Sequence, residues 1–128
     1  MWFLTLHTPI LFHRPNSGAC WAISATGTVE ANAARHRAFE AYTDTEKRLT
    51  AKLLDSDEIR KAAIAAAREA ETKAFSKADL SIQELLDCDT RYDQGCTGGN
   101  PLLAYYFIHR YGLTDSSQYP YKGKQKEC

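Results

Sequence analysis

The spacing of apolar residues near the start of the chain predicts a helix. Between about residue 16 and residue 42, apolar residues recur at intervals that place them on one helical face: Ala22, Ala25, Val29 and Ala33. Asn16 or Ser17 can cap this helix, because both side chains accept hydrogen bonds from backbone N–H groups. Gly27 in its interior costs about 1 kcal/mol relative to alanine, so the prediction requires either close packing there or a weaker helix.

A second helical pattern occupies residues 43–79, which are rich in alanine and charged residues. Asp55, followed three positions later by Glu58, forms a capping box that predicts a helix start. A stripe of small apolar residues follows at helical spacing: Ile59, Ala62, Ala63, Ala66, Ala67, Ala70 and Ala74. Because alanine side chains bury little area, we expect a peripheral helix with a solvated outer face. A partner-binding helix is the alternative.

The last third of the chain predicts two shorter helices separated by a polar loop. A capping box at residues 81–84 opens the first helix. The loop ends in the sequence G-C-T-G-G at residues 95–99. Asn100 as N-cap and Pro101 at the first helical position start the second helix, and Gly112 ends it.

Composition and charge exclude several classes of function. The 128 residues contain 16 Lys+Arg and 16 Asp+Glu, a formal net charge of 0, which argues against a nucleic-acid binder. No apolar run approaches the roughly 18 residues of a membrane-spanning helix, so we expect no membrane segment. Neither metal-ligand spacing nor a glycine-rich phosphate loop occurs, so no metal and no cofactor are predicted.

The segment with the clearest chemical potential is residues 17–21, S-G-A-C-W. A cysteine in the first turn of a helix meets exposed backbone N–H groups and the positive end of the helix dipole, which favour the nucleophilic thiolate. Gly18 and Ala19 leave room for a carbonyl group, and the Cys20 N–H could donate to a developing oxyanion. Taken alone, such a cysteine is more often a buried small residue. Four of the five residues match the signature C-G-[SA]-C-[WY], and Ser17 is the exception.

Further motifs follow in a fixed order: C-W-A-I-S-A at residues 20–25, S-I-Q-E-L-L-D-C at 81–88, G-C-T-G-G at 95–99 and Y-P-Y at 119–121. With these motifs the sequence resembles the papain-like, cathepsin-type cysteine peptidases. The resemblance implies a mainly α chain: the left, helical half of the α+β papain-like fold, without its β-rich right half. Residues 16–128 would form this partial domain, and residues 43–79 a helical insertion in it.

The resemblance assigns roles to five residues of this chain. Cys20 corresponds to the nucleophile that forms a thioester with a peptide substrate. Gly98 and Gly99 correspond to the segment whose backbone pairs with extended substrate, although an ordinary tight turn is the simpler interpretation. Asn100 and Pro101 correspond to one wall of the main specificity pocket, although both also fit a plain helix start.

The resemblance also implies how the cysteines pair. It implies a disulfide between Cys88 and Cys128, and leaves Cys96 unpaired because its partner position is Ser17. A disulfide implies an oxidising compartment, such as the secretory pathway, a lysosome-like vesicle or the extracellular space.

The sequence departs from the family at the start of the chain. Arg14 stands where the family has the glutamine that completes the oxyanion hole, and a guanidinium differs from that amide in length and charge. Residues 1–15 form an atypical leader with neither the basic start nor the cleavage site of a signal peptide. We expect a buried strand, or a leader that an erroneous gene model joined to the domain.

A second departure concerns the general base. The family's histidine and its orienting asparagine lie in the β-rich half, which is the missing partner of this chain. None of the four histidines lies in a similar motif, and surface or packing roles are expected for them: His7, His13, His36 and His109.

These observations predict a thiol protease that acts on peptides or proteins through an acyl-enzyme, represented here by a fragment with little activity alone. The alternative is a non-catalytic, peptidase-like module that binds partners through the inserted helix. A helical interaction protein of unrelated fold would leave the ordered motifs unexplained.

Overall fold

The computed structural model describes residues 18–128 and is mainly helical within that range, which confirms the predicted class. The four α-helices are α1 (Cys20–Thr50), α2 (Ser56–Lys77), α3 (Ile82–Cys88) and α4 (Pro101–Tyr111), with a 3₁₀ turn at Gly95–Thr97. The predictions for Arg14, for Ser17 and for the segment 1–15 lie outside the described residues. Between residues 18 and 128, no helix has the length and apolar character that a membrane crossing requires.

Helix α1 is longer than predicted and buries a different set of residues. It runs to Thr50 instead of ending near residue 42, and its N-cap is Ala19, not Asn16 or Ser17. Ala33 is exposed, whereas Ala34 is buried. The reason is a change of neighbour along the helix. The core residues that its first turns share with α3 and α4 include Trp21 and Ala25, and α1 also packs extensively against α2, so the buried face changes along the helix.

Helix α2 packs antiparallel to α1 in a long hairpin. The Asp55 carboxylate caps α2 by accepting a hydrogen bond from the Asp57 N–H (3.1 Å), so Glu58 does not complete the predicted box. Ala63 is fully buried, and the remaining small residues of the predicted stripe are partly covered. Residues 43–79 therefore include the end of α1 as well as α2.

The core lies where α1, α3 and α4 meet, and its largest buried side chains include Trp21, Leu85, Leu86 and Phe107. Ser81 caps α3 as predicted: its hydroxyl accepts a hydrogen bond from the Glu84 N–H (3.0 Å). The Glu84 side chain instead accepts a hydrogen bond from the Thr114 N–H at 2.6 Å. An antiparallel bridge between Leu80 and Asp115 ties the same two segments together.

The chain beyond α4 folds back onto α3. The Gln83 side chain accepts a hydrogen bond from the Lys122 N–H, and the Asp87 carboxylate accepts one from the Lys126 N–H, both at 2.7 Å. Cys88 and Cys128, the pair implied by the resemblance, form a disulfide. These contacts fix the C-terminal segment independently of the covalent link.

Candidate active site

Cys20 is the first residue of α1, and its side chain is exposed. The two residues before it are held against the 3₁₀ turn: the Gly18 N–H donates to the Cys96 carbonyl at 2.9 Å, and Ala19 is fully buried. A Cβ at Gly18 would lie 2.7 Å from that carbonyl oxygen, so only glycine allows this approach. The thiol is thus placed at the helix start beside residues 95–99.

Trp21 also joins α1 to the glycine loop. Its side chain is only 2% exposed, and its Nε1–H donates to the Gly95 carbonyl at 2.9 Å. A Cβ at Gly99 would lie 2.6 Å from the indole ring, so a side chain there would displace the tryptophan. The residues on both sides of Cys20 therefore contact the loop that contains Gly98 and Gly99.

Hydrogen bonds fix the loop at both ends. The Gln94 N–H donates to the Gly98 carbonyl at 2.9 Å, and the Asn100 N–H donates to Asp93 Oδ1 at 2.6 Å. Gly98 has a φ of +146°, and a Cβ there would meet nothing within 4 Å. The space beside the Gly98 Cα is therefore open, whereas its carbonyl is already bound by Gln94.

The start of α4 forms as predicted. The Asn100 side chain caps the helix by accepting from the Leu102 N–H (2.9 Å), and Pro101 is its first residue. A cavity of about 330 Å³ adjoins the loop, lined by Tyr92, Asp93, Gln94, Gly98, Gly99, Asn100 and Leu103. Asn100 thus lines the cavity, whereas Pro101 lies outside its lining.

Neither histidine in the described range is near Cys20. His36 lies sixteen residues further along α1, about 24 Å at 1.5 Å per residue, and its Nε2 is 3.4 Å from Glu40 Oε1. His109 lies in the last turn of α4, whose first turn is the end next to the glycine loop. Across residues 18–128, no three His, Cys, Asp or Glu side chains cluster in a way that could hold a metal.

A pair of buried carboxyl groups beside the loop escaped the sequence analysis. Asp89 and Asp93 are 1% and 4% exposed, and both oxygens of Asp89 and Oδ2 of Asp93 have no hydrogen bond of ordinary geometry. Burial and, to a smaller extent, the hydrogen bond and charge of the facing Asp93 carboxyl together raise the pKa of Asp89 to about 7, against the opposing effect of the Tyr92 N–H. The available signal was two aspartates four positions apart in a polar loop.

A family model described as "Papain family cysteine protease" matches residues 61–128, just over half of the chain. The chain belongs to the papain family. The predicted family is thereby confirmed, and so is the helical half of its fold.

Individual members of the papain family match different lengths of the chain. Caricain from Carica papaya is 32% identical over 121 residues, covering 94% of this chain and 24% of caricain. The thiol protease SEN102 from Hemerocallis is 47% identical over 49 residues, which are 38% of this chain and 14% of that protein. The crystal structure of the Carica candamarcensis cysteine protease CMS1MS2 in complex with E-64 gives a TM-score of 0.51 at 26% identity, covering 88% of this chain and 35% of that one. The chain therefore spans about a quarter or less of these two curated relatives.

Proposed function

We propose that this chain is the nucleophile-bearing half of a cysteine peptidase, with Cys20 as the catalytic residue. The observation that supports this most strongly is an exposed thiol at the first residue of α1, beside a glycine loop with open space next to the Gly98 Cα. The positive end of a helix dipole favours negative charge, both on sulfur and on the oxygen of an attacked carbonyl. Gly98 and Gly99 then bind extended substrate through their backbone. Asn100 lines the adjoining pocket, and Pro101 supports that wall from behind the lining as the first residue of α4.

The reaction has two stages. The sulfur of Cys20 adds to the carbonyl carbon of a peptide, the carbon–nitrogen bond breaks, and the amine leaves with a proton. Water then attacks the thioester, which releases the carboxylic acid and restores the thiol. The proton transfers need a base within hydrogen-bond reach. Because neither His36 nor His109 is near Cys20, we assign that base to a second, β-rich half of the domain.

The domain organisation belongs to the same proposal. Residues 16–128 form the partial peptidase domain, and residues 43–79 are an insertion that extends the α1–α2 hairpin. The Cys88–Cys128 disulfide supports an oxidising location, namely the secretory pathway, a lysosome-like vesicle or the extracellular space. Peptides or proteins are the substrates.

A covalent labelling experiment tests the assignment of Cys20. The chain would be treated with the peptide-like epoxide E-64 and, in parallel, with iodoacetamide, and adducts would be located by mass spectrometry. We expect E-64 to modify Cys20 stoichiometrically, with no adduct in Cys20→Ala and full labelling in Cys96→Ser. Cys96 is the matched control because it is the other free cysteine and is half-buried.

Slow and equal labelling of Cys20 and Cys96 would contradict the proposal and favour the second candidate, a non-catalytic binding module. The observation behind that candidate is the apolar surface of the α1–α2 hairpin, where Phe39 is 66% and Leu53 is 94% exposed. With fluorogenic peptides we expect little turnover by the 128-residue chain. Turnover that is lost in Cys20→Ala would show that the chain itself supplies a base.

A further inference from the structure

The Asp89–Asp93 pair lies where it can control the loop beside Cys20. Asp89 is the C-cap of α3, and the Asp93 N–H donates to its carbonyl at 3.2 Å, so the two side chains lie one turn apart. Two ionised carboxylates in such a buried place repel each other, and the negative end of a helix dipole adds to the cost at Asp89. A single shared proton removes one charge and gives a hydrogen bond to two of the three unpartnered oxygens.

The fourth carboxyl oxygen of the pair, which does have a partner, binds the loop. Asp93 Oδ1 accepts the Asn100 N–H at 2.6 Å, a short bond of the charge-assisted kind. The same oxygen would lie 2.6 Å from a Cβ at Gly99, so the carboxylate is packed directly against the glycine segment. The indole of Trp21 packs on Gly99 as well, which leaves this backbone little freedom to move.

We propose that Asp93 is a positioning residue for the segment Gly98–Asn100, and that a proton shared with Asp89 keeps its carboxylate in place. This inference rests on the proposed function in one respect: it assigns that segment to peptide binding. Asp93 exerts this effect through the backbone of Asn100, whose N–H it accepts.

The pair makes this positioning dependent on pH. Within residues 18–128, the groups that act on Asp89 are the Asp93 carboxyl and the opposing Tyr92 N–H, while α1 contributes the uncharged indole of Trp21. None of these groups is a cation that would compensate a second negative charge. Loss of the shared proton above about pH 7 therefore separates the carboxylates and loosens the bond to Asn100.

Amide hydrogen exchange of the whole chain tests the inference without any enzymatic assay. In Asp93→Ala we expect the protection factor of the Asn100 N–H to fall about tenfold, the effect of losing one hydrogen bond to a charged acceptor. Asp93→Asn keeps an acceptor oxygen and should retain most of the protection. The Phe107 N–H, further along α4, is the internal control and should change less than about twofold.

The pH dependence provides a second measurement that needs no disruptive variant. In the wild-type chain, Asn100 protection, corrected for intrinsic exchange, should fall about tenfold between pH 6 and pH 8.5. Asp89→Asn holds the pair in its singly charged state and should abolish that fall. Unchanged Asn100 protection in Asp93→Ala, or a pH-independent wild type, would overturn the inference. Should Asp93→Ala not fold, the wild-type series and Asp89→Asn decide the question.

Labelling rates distinguish positioning from general stabilisation. In a Cys96→Ser background, Asp93→Ala should lower the E-64 rate at Cys20 about tenfold and leave the iodoacetamide rate within about twofold. An equal loss of both rates would indicate general loosening and overturn the positioning role. Absence of E-64 labelling in the wild type would refute the proposed function instead, and the exchange data would still decide the role of Asp93.

Discussion

Removing the Cys88–Cys128 disulfide should lower stability by an amount that follows from its position. The bridge closes a segment with a sequence separation of 40 residues. The loop-entropy relation gives about 13 cal/mol/K for a loop of about 40 residues, or about 4 kcal/mol at 25 °C. The effect lies mainly in the unfolded state, because hydrogen bonds from Lys122 and Lys126 to α3 still hold the C-terminal segment in the native state.

The perturbation is the double variant Cys88→Ala/Cys128→Ala, and the assay is urea unfolding followed by far-UV circular dichroism. We expect the free energy of unfolding to fall by about 4 kcal/mol. The wild-type chain in reducing agent should behave like the double variant. The matched control is Cys96→Ser, which removes a free thiol and no cross-link, and should change stability by less than about 1 kcal/mol.

Two results would contradict stabilisation by loop closure. A loss below about 1 kcal/mol in the double variant would mean that the unfolded chain is already compact between residues 88 and 128. An equal loss in Cys96→Ser would mean that the effect comes from side-chain packing and not from chain closure.

Three further outcomes follow from single contacts. Gly27→Ala should raise the free energy of unfolding by about 1 kcal/mol in urea titrations, since the residue is mid-helix and a Cβ there meets nothing within 4 Å. A lower free energy of unfolding would contradict this. Trp21→Phe should lower the free energy of unfolding by about 1–3 kcal/mol, because the Gly95 carbonyl loses its hydrogen-bond donor. An unchanged urea midpoint would contradict this and show that water replaces the indole N–H. Between about pH 4 and pH 7, native Asp89 binds a proton that the unfolded chain has lost, so its contribution to stability falls as pH rises. In thermal unfolding, the stability of Asp89→Asn should therefore depend less steeply on pH than that of the wild type. A dependence parallel to the wild type would contradict the raised pKa of Asp89.

The helix starts show which hydrogen bonds can be predicted from neighbouring residues. Ser81 and Asn100 cap their helices as predicted because a cap joins residues only two or three positions apart. The reciprocal half of the capping box did not form, because the Glu84 carboxylate accepts a hydrogen bond from the Thr114 N–H, thirty residues away. Hydrogen bonds between residues close in the chain can be predicted from the sequence. Whether a side chain binds a local or a distant partner depends on which segments the fold brings together.

The family, the mainly helical class and the position of Cys20 at a helix start could be predicted from the sequence, since each depends on an ordered motif or on residues within one turn. The buried face of α1 could not be predicted in this way, because it depends on packing against α2 as well as against α3 and α4. Tertiary structure also placed Asp93 against the Gly98–Asn100 backbone and buried it with Asp89. Burial and charge proximity arise from packing between distant segments, and no local pattern of residues encodes them.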